Sequence, residues 1–94
     1  MISPWGEVQH KESIAPGILF VETASHGGIL LGSDLHAKMR PEWRTPDQWY
    51  EEDCEYCRVV LTFPQYFPEH IITASRMMLE NHPEYFVGSI RGGR

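Results

Sequence analysis

Ninety-four residues, 41% hydrophobic and 12% aromatic, suffice for one modest core and exclude a second domain. The charged fraction of 22% is too low for a chain that stays disordered, and the longest apolar runs, residues 17–21 and 27–32, are far shorter than a membrane span. The net charge of −5 sits in one place: residues 42–55 carry Glu42, Asp47, Glu51, Glu52, Asp53 and Glu55 against Arg44 alone, while the rest of the chain has seven acids and seven bases. A neutral protein with one anionic patch is a poor ligand for free nucleic acid, which demands a basic surface.

In chain order, residues 5–13 and 17–25 flank Pro16-Gly17, a pair suited to a tight turn, and Ile18, Phe20 and Glu22 alternate with Leu19, Val21 and Thr23. This pattern predicts a β-hairpin. Ser25-His26 leads into Gly27-Gly28, expected to use positive φ angles, and residues 29–31 form a short apolar third strand ended by Gly32. Ser33 is placed to cap a short helix, with Asp34 in its first turn, until Pro41 stops it.

Thr45, Pro46 and Gln48 have the spacing of a capping box and predict a second helix, on which Asp47, Glu51 and Glu55 share a face at i, i+4 and i+8. Val59, Val60, Thr62 and Phe63 are β-branched or aromatic and predict a central strand. Beyond Pro64 and Pro68, the residues Ile71, Ala74, Ser75, Met78 and Leu79 line one stripe of the main helix, which Asn81 and Pro83 end. The expected fold class is α+β: a small, mainly antiparallel sheet of three to four strands packed against one main C-terminal helix, with one or two short helices. Residues 1–87 are expected to form a single compact domain and residues 88–94 a flexible tail.

Like charges four residues apart on a helix cost roughly 0.2–0.5 kcal/mol per pair. The acidic row is therefore either a solvated face, partly neutralised by Arg40, Arg44 or Arg58, or a surface kept for a partner. Tyr50 and Tyr56 are interleaved with it, and aromatic anchors inside a charged rim are the usual anatomy of an interface. The expected partner-binding residues are Glu42, Asp47, Tyr50, Glu51, Glu52, Asp53, Glu55 and Tyr56. Trp49 lies off the stripe and is expected in the core.

Cys54 and Cys57 have the spacing of half a zinc site, but the chain holds no second pair. His26, His36, His70 or His82 would have to complete it from distant segments, so neither metal nor cofactor is expected. A redox pair of thioredoxin type opens a helix after a strand, whereas the predicted pattern has this one closing a helix; the thiols are read as buried and inert, in a reducing compartment. Ser25 and His26 are adjacent in an extended segment and point to opposite faces, so they make no nucleophile and base. Cys54 with His26 and the adjacent carboxylates is the enzymatic alternative.

Three stretches, WGEVQ, GILFVETASHGGILL and WYEEDCEYCRVVLTFPQYF, together resemble a bacterial and phage family known as domain of unknown function seven thousand and seven. The resemblance runs from about residue 5 to residue 85 and implies no chemistry. It implies a setting instead: plasmid, phage and other mobile-element proteins, some of them larger chains with DNA-transfer or anti-restriction roles. Cys57 stands where a small or apolar residue is expected, so the two-cysteine spacing is incidental. A solitary acidic domain in that setting is expected to bind: a phage or plasmid inhibitor, of anti-CRISPR or anti-restriction type, that occupies the basic groove of a host nucleic-acid-handling defence complex. The expected location is the host cytoplasm, as monomer or homodimer, with no membrane and no direct nucleic-acid contact. A structural or assembly domain without an active site is the third possibility.

Overall fold

The computed structural model describes residues 1–87, and the expected tail, residues 88–94, lies outside the described residues. The chain opens with a small hairpin of β1 (Ile2–Ser3) and β2 (Gly6–Glu7). Gly6 turns it at φ +118°, while the Ser3 hydroxyl donates to Gly6 O and accepts the Trp5 N–H. The predicted hairpin follows as β3 (His10–Ala15) and β4 (Ile18–Glu22), turned by Gly17 at φ +86°. The third strand is β5 (Gly27–Leu31), and β6 (Trp49–Glu51) closes a four-stranded antiparallel sheet in chain order, β3-β4-β5-β6.

The register decides which face is core. Ile18 pairs with Leu31, Phe20 with Ile29, and Ile29 with Tyr50, which gathers the apolar side chains of three strands on one face. On the other face Trp5 from the first hairpin lies over Gly28 and meets Trp49 edge-on, ring centres 5.6 Å apart. Gly27 and Gly28 do not take the expected positive φ. They are strand residues, glycine because a Cβ at 28 would strike the Tyr50 carbonyl and the Trp5 ring, and one at 27 would press on Val21 O and Glu52 Oε1, each at 3.0 Å.

Two elements exchange the types predicted for them. Residues 45–55 are not a capped helix: Gln48 stands at φ +68°, residues 49–51 are β6, and residues 52–55 are turns. The cap goes unused because Thr45 is buried and its N–H donates to the Tyr50 hydroxyl, 3.4 Å away. Gln48 instead joins the sheet, its carbonyl accepting Leu31 N–H and its side chain donating to Leu31 O at 2.8 Å. The predicted central strand is a helix, α2 (Tyr56–Thr62), with Cys57, Arg58, Val59 and Val60 all buried. A short segment buried on every side has no amphipathic period to reveal it, and β-branched composition pointed the other way.

The first helix, α1 (Ser33–Lys38), is present, but Gly32 occupies the cap position and Ser33 is already helical. The main helix, α3 (Glu69–Asn81), has the predicted extent, though Ile72 and Ser75 are its buried residues and Ala74 is exposed. It packs on α2 and on the 3-10 turn Pro83–Phe86, while α2 reaches β6. The fold is thus a small α+β domain, a four-stranded antiparallel sheet with the main helix towards the C-terminus. Arg58, fully buried in α2, ties distant segments together: its Nε and Nη2 donate to Tyr85 O and its Nη1 to Trp43 O. Trp43 and Phe86 pack beside it with ring centres 5.2 Å apart. Among the described residues, no helix is long and apolar enough to cross a membrane.

Candidate functional site

One end of the sheet brings together two turns, residues 23–26 between β4 and β5 and residues 52–55 between β6 and α2. The first is organised by Thr23, whose hydroxyl donates to His26 O and accepts the N–H groups of Ser25 and His26. Those amides are therefore spent and form no anion hole. The second is closed by Glu55, whose carboxylate accepts the Glu51 N–H at 3.1 Å along the edge of β6.

Between the turns lies an open cleft of about 460 Å³, lined in part by His10, Glu22, Thr23, Ser25, His26 and Glu52. Cross-strand pairing sets His10 opposite Glu22 and Glu22 opposite Gly27, against which Glu52 lies. Among the described residues, no Lys or Arg lines the cleft. His26 Nδ1 is 3.8 Å from Glu51 Oε2, and the Cys54 thiol donates to Glu51 Oε1 at 4.0 Å.

The residues expected to bind a partner are divided by this geometry. Glu51, Glu52 and Asp53 come together at the sheet end; Asp53 is exposed and the other two half-buried. Glu42 is 3.3 Å from the Arg40 guanidinium in the 3-10 turn Pro41–Trp43, and Asp47, before the opposite end of β6, accepts the Trp49 N–H. Tyr50 and Glu55 are fully buried and cannot stand on a docking surface, because β6 turns Tyr50 into the core and the turn folds Glu55 inward. Tyr56 is half-buried, and burial pushes its phenol above the usual range. With no helix over residues 45–55, the row of Asp47, Glu51 and Glu55 does not exist. Glu22, which lines the cleft with Glu52, gave no local signal: only the pairing of β4 with β5 brings it there.

Cys54 and Cys57 are buried and free, and the pair does open a helix after a strand, contrary to the expected placement. The surroundings nevertheless disfavour a thiolate. Burial first, then the Glu51, Glu55 and Asp53 charges, push Cys54 to about 11, and burial raises Cys57 as well. In a nucleophilic triad the base lies between nucleophile and acid; here the carboxylate of Glu51 lies between the imidazole and the thiol and holds the proton on sulfur. Among the described residues, no group of three or more His, Cys, Asp or Glu side chains could hold a metal ion.

The order of strands, the SHGG turn over β5 and the acidic turn after β6 are carried by the same blocks that gave the resemblance, and a family model matches residues 1–92. The chain belongs to the family described as domain of unknown function (DUF7007). No curated protein and no solved structure matches it. Nearly the whole chain is thus the family's domain, both turns of the sheet end included.

Proposed function

We propose that this chain is a binding module, and that it docks the carboxylate end of its sheet on a basic groove of a host nucleic-acid-handling defence complex, as an inhibitor of restriction or CRISPR type. The observation that carries the reading is that Glu22 and Glu52 line one cleft, which among the described residues has no Lys or Arg in its lining, with Glu51 and Asp53 on either side of Glu52 in the chain. Grouped carboxylates of this kind meet a Lys- and Arg-lined groove as phosphates would, and the attraction acts before contact. The mobile-element setting implied by the resemblance agrees with such a target.

The test is phage plating on hosts with an active restriction or CRISPR system, with and without the protein expressed. Expression should raise the plating efficiency of a restricted phage. The triple variant Glu22→Gln, Glu52→Gln, Asp53→Asn should melt at an unchanged temperature and give no protection. Full protection by that variant, or equal plating with and without the wild-type protein on every such host, overturns the reading.

A further inference from the structure

The short helix α1 buries no residue completely and is fastened by polar side chains from the stretch that follows it. Arg44 donates to Ala37 O and Met39 O, Gln48 to Leu31 O and more weakly to Ser33 Oγ, and the Tyr50 hydroxyl lies 2.9 Å from His36 Nδ1. The third fastening differs from the others because one partner titrates. Tyr50 is fully buried and its oxygen accepts the Thr45 N–H; an unprotonated Nδ1 on a neutral His36 gives the buried hydroxyl proton an acceptor, whereas a protonated Nδ1 does not.

We propose that α1 is an acid-released latch: neutral His36 accepts the Tyr50 hydroxyl and keeps the helix seated, and protonation of His36 at Nδ1 removes that acceptor and frees α1 from the sheet. The charged neighbours decide the sign. From the stretch after α1, the Arg44 guanidinium opposes a second cation, and Asp47 favours one. From α1 itself, Asp34 and Lys38 are both exposed and screened by solvent, and the carbonyl end of a six-residue helix favours a cation only weakly. From β6 comes only the buried phenol of Tyr50, which stays neutral. Burial and Arg44 outweigh Asp47, so His36 resists protonation while α1 is docked, and a proton taken up there favours the undocked state. The balanced step is one proton from solvent onto Nδ1, with the Tyr50 hydroxyl losing its acceptor.

The experiment follows amide exchange across the intact protein by NMR at pH 7.5 and pH 5.0, corrected for intrinsic rates. Protection of residues 36–39 should fall about tenfold relative to Val21 and Ile29 in the sheet. His36→Asn, whose Oδ1 can accept the same hydroxyl without titrating, should hold that protection level across the range. An equal fall in His36→Asn, or no selective fall in the wild type, overturns the latch. Should the variant not fold, the wild-type ring signals of His36 and Tyr50 serve: one shared midpoint supports the proposal, and a His36 titration that leaves Tyr50 unmoved refutes it.

Discussion

Glu51 shows how one side chain changes the meaning of its neighbours. Its two oxygens reach His26 on one side and Cys54 on the other, so the two residues that a nucleophilic site would need are separated by the group most able to disable the thiol. A rise from 9.0 to about 11 lowers the thiolate fraction near neutrality about a hundredfold. Replacing Glu51 with Gln keeps an oxygen near the thiol and removes the neighbouring charge that raises the thiol most. Labelling of Cys54 by Ellman's reagent at pH 8 should then accelerate severalfold, with the melting temperature as a check on the fold. An unchanged or slower rate would mean that burial alone holds the proton.

At the scale of elements, the hairpin around Gly17, the third strand and α3 were legible because a turn pair, period-two alternation and proline boundaries are local signals. Residues 45–63 were not. Their capping box and β-branched run are also local, but Tyr50 pairs with Ile29 in the sheet and α2 is buried all round, so tertiary packing overrode both preferences. The candidate site was half legible for the same reason: Glu51, Glu52 and Asp53 are neighbours in sequence, whereas Glu22 and His10 arrive only through strand register. Gly28 tests how tightly that register is held. Gly28→Ala forces a methyl against the Tyr50 carbonyl and the Trp5 ring, and overpacking of this kind typically costs about 1–3 kcal/mol. Urea unfolding should show the loss. Adding Trp5→Ala should not recover it fully, since a backbone carbonyl has nowhere to move.

Among the described residues, burial shifts His36, Cys54, Cys57, Tyr50 and Tyr56 towards their neutral forms, while the exposed Glu84 carboxyl is lowered by a backbone hydrogen bond and by His82. Those first five groups set the shape of stability against pH above about pH 5. His36 is lowered from 6.5, by burial and then by Arg44, so the unfolded chain takes the proton first and stability falls as pH drops below 6.5. Cys54, raised to about 11, and Cys57, Tyr50 and Tyr56, all raised chiefly by burial, act at the other end. Their neutral forms contribute fully below the unfolded values of 9.0 for the thiols and 10.0 for the phenols, and that contribution is lost as pH climbs towards the folded values. One imidazole against two thiols and two phenols makes the curve asymmetric. Melting temperature should be level between about pH 6.5 and pH 9, decline gently on the acid side, and decline steeply on the alkaline side. Cys54→Ala should flatten part of the alkaline decline and leave the acid side as it was. Tyr50→Phe should soften both limbs, since it removes a buried phenol and the hydroxyl that His36 accepts. A melting temperature that rose between pH 9 and pH 10.5 would mean that these four groups are ionised in the folded protein, and the buried neutral core inferred for β6 and α2 would have to be abandoned.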